Sequence, residues 1–114
     1  MDIKAIRDKL RDFTEERDWD RFHSPKNLAI ATAVEASELL EIFQWITEEE
    51  SFKIAESNID LVKEEIADII IYLIRLSDKL NIDIEKAVIE KIEINENKYP
   101  VSLSKGNATK YNRR

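Results

Sequence analysis

The chain has 114 residues, a formal net charge of −6, one glycine, two prolines and no cysteine. Its length suits one domain, and the lack of cysteine excludes disulfides and thiolate metal sites. The acidic balance excludes generic binding of nucleic-acid polymers, and no apolar run is long enough to span a membrane, so a soluble cytoplasmic protein is expected.

Ile, Leu, Glu, Lys, Ala and Asp dominate, a composition that favours long helices over strands. Ile3, Ile6, Leu10 and Phe13 recur at helical spacing and predict a first helix over about residues 2–17. "RDWDRFHSP" breaks that pattern. Ser24 then pairs with Pro25 as N-cap and first-turn residue, so a second helix is expected from about Pro25 to Ile46. "TEEES" reads as a polar connection with room for a helical turn. A third helix follows over about residues 58–80 and a fourth over about 84–98. Pro100 stops it, leaving residues 99–114 as an irregular basic tail. No acidic residue follows Glu96, whereas Lys98, Lys105, Lys110, Arg113 and Arg114 are basic. The tail is either simply solvated or a phosphate-facing arm.

The second and third helices are apolar round much of their circumference. Such helices must be covered on all faces, which so short a chain does not manage alone. The expectation is an all-α, four-helix bundle that completes its core by oligomerisation.

Carboxylates interrupt both apolar helices. "EASE" in the second holds Glu35 and Glu38; "EIAD" in the third holds Glu65 and Asp68. Residues at i and i+3 share a helical face, so antiparallel packing would let all four carboxylates converge. Clustered anions repel unless a cation sits among them, and oxygen-only ligands select a hard ion such as Mg²⁺ or Mn²⁺. The alternative is that the glutamates are solvated and Asp68 bonds a local donor. A di-iron bundle would ordinarily supply Glu-x-x-His pairs, but the only histidine, His23, lies outside both helices.

"E-x-x-E", then 26 intervening residues, then "E-x-x-D" resembles the signature of the all-α nucleoside triphosphate pyrophosphohydrolases, the MazG and dimeric dUTPase superfamily. "ERDWDRFHSPKNL", "ELLEIFQW", "EEIADIIIYL" and "NENKYPVSLSKGNATKY" are similar, in the same order, to its dCTP pyrophosphatase branch. The resemblance runs from about Ile6 to Tyr111. It implies Mg²⁺-dependent hydrolysis of dCTP, or a modified dCTP, to the monophosphate and pyrophosphate. It also implies that Glu35, Glu38, Glu65 and Asp68 hold metal, with Glu38, or else Glu35, activating water. Lys91, Asn95 and Lys98 match the family's phosphate-contacting pattern. Trp19, Trp45 and Tyr72 are candidates for gripping the base, with His23 bonding a base edge or a phosphate. The first helix departs from the pattern, with Leu10 where some relatives carry histidine. The branch further implies a homotetramer built from dimers, with a dimer as the simpler assembly.

Trp45 stands roughly 15 Å along the helix beyond Glu35, about the reach of a nucleoside triphosphate from metal-bound phosphate to base. Trp19, in the preceding loop, would have to fold over or come from a neighbouring subunit, so a pocket shared between chains is expected. Two other functions stay open: a MazG-like enzyme of broader nucleotide specificity, and an inactive helical module that binds a partner.

Overall fold

Most helix starts in this chain fall where a short polar side chain can take up a free backbone N–H. The computed structural model describes residues 1–110 and 112, and among them the regular structure is helical throughout. Asp2 caps α1 (Ile3–Glu16) by accepting from the Ala5 N–H at 3.0 Å. Ser24 caps α2 (Pro25–Phe43) in the same way through Asn27, with Pro25 in the first turn. Thr47 caps the single turn α3 (Glu48–Ser51). α4 (Ile59–Lys79) follows, and Asp83 caps α5 (Ile84–Lys98) through Lys86. Short 3₁₀ turns occupy Asp20–Phe22 and Ile54–Glu56.

The all-α expectation holds, and two boundaries move. α2 stops at Phe43, three residues before the expected Ile46. Thr47 explains the early end: its hydroxyl accepts from the Glu50 N–H and donates to the Glu50 carboxylate, 3.1 and 3.2 Å away. That N-cap goes with extended backbone at Thr47 (ψ 163°), which a continuing helix forbids. The tail expected to be irregular contains one more helical turn, α6 (Val101–Ser104), begun by extended Pro100. Tyr111, Arg113 and Arg114 of the expected basic tail lie outside the described residues.

The chain forms two compact units, Met1–Ile82 and Asp83–Arg114. In the first, α2 and α4 run antiparallel. His23, just before α2, meets Arg75 near the end of α4, while Glu41 and Ile42 border one cavity with Asn58 and Leu61 at its start. Leu28, Val62 and Ile74 are buried between the elements, joined by Thr14 of α1. Ion pairs tie α1 to α4, with the Arg11 Nε donating to Asp78 at 2.7 Å.

Two left-handed residues shape the loops: Asp18 at φ 54° and Asn81 at φ 55°. Asp and Asn tolerate this region better than other non-glycine residues. After Asp18 the Trp19 N–H reaches back to the Thr14 carbonyl at 2.9 Å. The turn folds Trp19 onto α1, edge-on to the Phe13 ring with centroids 5.6 Å apart.

As expected, one chain leaves much apolar surface open. Ile30, Val34 and Leu40 on α2 and Leu61, Ile66 and Leu73 on α4 remain more than a third exposed. In the second unit Val88, Ile89, Ile92 and Ile94 on α5 are about half exposed.

Candidate metal centre and aromatic cavity

Antiparallel packing brings Glu35 and Glu38 of α2 to Glu65 of α4. One carboxylate oxygen from each lies within 4.8 Å of the other two. Glu65 is buried, Glu35 half-buried and Glu38 exposed. One oxygen of Glu35 and one of Glu65 are buried without any hydrogen-bond partner. A buried carboxylate oxygen left unpaired is costly, and the cluster can relieve that cost in two ways. It can bind protons or a cation.

The proton affinities record this strain. Burial first, then the Glu38 and Glu65 carboxylates and the charge of Asp68, push Glu35 up to about 7. Glu65 is also raised, mainly by burial and with help from Glu38 and Asp68, although Glu35 acts on it in the opposite sense. An all-oxygen donor set with orphaned buried atoms fits a hard divalent cation.

Asp68 sits one turn beyond Glu65 on α4 and is half-buried. It is outside the three-glutamate cluster at that spacing, yet near enough for its charge to raise Glu35 and Glu65. Among the described residues no protein group donates a hydrogen bond to it.

Two cavities are lined by these carboxylates. Glu38 and Glu65 line a polar one of about 400 Å³, with Glu41, Ile42, Asn58 and Leu61. Asp68 and Tyr72 line another, of about 490 Å³, whose wall is largely apolar and aromatic. Trp19 and His23 border it from the loop, Leu10 and Phe13 from α1, and Arg75 from α4. The Tyr72 hydroxyl is raised by burial and by the charges of Glu35, Asp68 and Glu38, which marks how near the carboxylates stand.

Trp19, His23 and Tyr72 therefore meet Asp68 within a single chain. The loop folds over, one of the two options read from sequence. Trp45 does not join them: it is 87% exposed just past the end of α2. Lys91, Asn95 and Lys98 all lie on α5, in the second unit, spaced along one side of the helix.

Sequence reasoning missed Arg75, which is only 3% exposed. Its guanidinium reaches Asp20 at 2.8 Å and Asp78 at 3.6 Å, and its Nε donates to His23 Nδ1 at 3.4 Å. Lys79 supports the same Asp20 at 2.7 Å. The signal was present, since Arg75 interrupts the same apolar run as Asp68. Burial pushes His23 below its usual value, and Arg75 beside it adds to the shift.

Fold and cluster together define a class: all-helical proteins in which two antiparallel helices set carboxylates around one point. Residues 30–113 match the MazG-like family, and the chain belongs to that family. Over 111 residues it is 41% identical to dCTP pyrophosphatase 1 of Bos taurus, covering 96% of this chain and 66% of that protein. The Homo sapiens dCTP pyrophosphatase 1 is 37% identical over 111 residues, 96% of this chain and 65% of its own length. The chain thus spans just under two thirds of these relatives. The crystal structure of a pyrophosphatase from Archaeoglobus fulgidus is also similar, with a TM-score of 0.83 and 44% identity over 88% of this chain and 94% of that one.

Proposed function

We propose that this chain is a divalent-metal-dependent nucleoside triphosphate pyrophosphohydrolase acting on dCTP or a modified dCTP. The observation that carries the reading is the carboxylate cluster of Glu35, Glu38 and Glu65 beside a cavity bordered by Trp19, His23, Asp68 and Tyr72. The similarity to dCTP pyrophosphatases points to the substrate, and a pyrimidine ring suits an aromatic-walled cavity of about 490 Å³.

In the proposed reaction a water oxygen bonds to the α-phosphorus. The bond to the oxygen bridging α- and β-phosphate breaks, and pyrophosphate leaves. Glu35, Glu38, Glu65 and Asp68 would hold Mg²⁺ or Mn²⁺, which when bound neutralises phosphate charge and polarises the phosphoryl oxygens. Glu38, the exposed member, orients the water and takes its proton; Glu35 is the second candidate for that role. Trp19 and Tyr72 present ring surface to the base. On α5, Lys91, Asn95 and Lys98 carry the charge and amide chemistry that suit phosphate oxygens.

Pyrophosphate release from a panel of nucleoside and deoxynucleoside triphosphates, with and without Mg²⁺, tests the proposal. Preference for cytosine deoxynucleotides and loss of turnover in chelator are expected. Equal turnover across bases would favour the broader MazG-like enzyme. No release from any nucleotide would leave a helical binding module.

We also propose that the exposed apolar faces of α2 and α4 are covered by further copies of the chain. A tetramer is the expected assembly and a dimer the simpler one.

A further inference from the structure

An arginine guanidinium only donates hydrogen bonds and stays protonated. The Arg75 Nε–H points at His23 Nδ1, 3.4 Å away, so that nitrogen must offer a lone pair. A neutral imidazole with a free lone pair on Nδ1 carries its proton on Nε2. Among the described residues Nε2 has no hydrogen-bond partner, and His23 borders the aromatic cavity.

Arg75 is not free to turn away. It is buried, and Asp20 and Asp78 hold its two terminal nitrogens. Lys79 and Arg11 hold those two carboxylates in turn. The network ties α1, the Asp20–Phe22 turn and α4 into one frame around His23.

We propose that Arg75 is a positioning residue: it fixes His23 as the Nε2–H tautomer, so that the ring meets the substrate as a hydrogen-bond donor to the base. The inference rests on the nucleotide reading above. It commits the substrate to presenting an acceptor at this edge of the cavity, such as a base carbonyl oxygen or an unprotonated ring nitrogen. The aromatic and apolar neighbours Trp19, Phe13 and Tyr72 favour the base over a phosphate as the source of that acceptor. The lowered proton affinity of His23 agrees with a ring kept neutral beside a fixed cation.

His23 is the only histidine in the chain, so ¹⁵N NMR of its imidazole reads the tautomer without ambiguity. The 114-residue chain near neutral pH should show Nε2 protonated and Nδ1 bare. Arg75→Met should lose that preference and Arg75→Lys should keep part of it. A protonated Nδ1 in the wild-type protein would overturn the proposal outright, whatever the variants do. Deoxycytidine, which has the base but no phosphate, should shift the His23 Nε2 resonance, whereas inorganic triphosphate should not. The reverse pattern would overturn the assignment to the base.

In turnover, His23→Gln keeps an amide N–H near the position of Nε2 and should raise KM less than a variant without any donor. His23→Met should raise KM about 5- to 10-fold with kcat little changed, the worth of one hydrogen bond. Equal KM values for the two variants would defeat the donor role. Absence of hydrolysis with every nucleotide would instead defeat the functional reading, while the tautomer measurement judges the Arg75–His23 assignment independently.

Discussion

Glu35 and Glu65 hold protons more tightly in the fold than in the unfolded chain, because burial and neighbouring carboxylates penalise their charged forms. Groups raised in this way contribute stability that is complete below the unfolded value of 4.5 and is lost as pH rises, for Glu35 through about 7. In chelator, the melting temperature should therefore fall as pH is raised from 4.5 to 7. Excess Mg²⁺ should remove most of that fall by replacing the bound protons. A metal-free melting curve flat across this window would mean the cluster is not strained. Asp68→Asn should raise metal-free stability at neutral pH by removing one like charge beside the cluster. Glu38→Gln keeps the shape of the side chain but cannot take a proton from water. It should lower kcat by about 10²- to 10⁴-fold with the fold intact, as assayed by pyrophosphate release, and like Asp68→Asn it should raise metal-free stability by removing a like charge.

Between elements, the join of α1 to α4 rests on charge. Arg11 holds the Asp78 carboxylate below its ordinary value, and Lys79 with Arg75 does the same for Asp20. Lowered carboxylates act with the opposite sign to the glutamates: their stability is complete above the unfolded value of 3.8 and is lost as pH falls below it. An acid limb beginning near 3.8 should thus appear in the melting profile. Asp78→Asn should flatten part of that limb and cost about 1 kcal/mol at pH 7, towards the low end for a charged hydrogen bond because Arg11 is half exposed. Thermal melts of both proteins from pH 2 to 7 check this, and superimposable acid limbs would assign the loss to other carboxylates.

At the scale of the whole molecule, the apolar residues left open on α2 and α4 predict self-association. Light scattering at micromolar concentration should give a multiple of the 13.4 kDa chain mass, and a monomeric mass would contradict it. Trp45, 87% exposed, is the side chain with most to gain from a neighbour. If a second chain brings Trp45 to the Trp19 cavity, Trp19→Ala and Trp45→Ala should each raise KM by roughly 5- to 150-fold, the worth of stacking on one base. Re-assembled mixtures of the two variants should then recover some intact sites. Mixtures as weak as either parent would refute a pocket shared between chains.

Local chemistry made much of this chain legible from sequence. Ser24 announces its helix because N-cap bonds span three residues, and the i, i+3 carboxylates share a face because an α-helix repeats every 3.6. Even the end of α2 was written in Thr47, read as part of a polar connection rather than as an N-cap. The tertiary structure alone decided which groups meet across distance. Arg75 reaches His23 over 52 positions and Asp20 over 55, and Arg11 reaches Asp78 over 67. Such pairings depend on how the Asp18 turn folds the loop back and on how α1 packs against α4. Periodicity along one helix cannot encode either, so the frame around the cavity had to be seen in three dimensions.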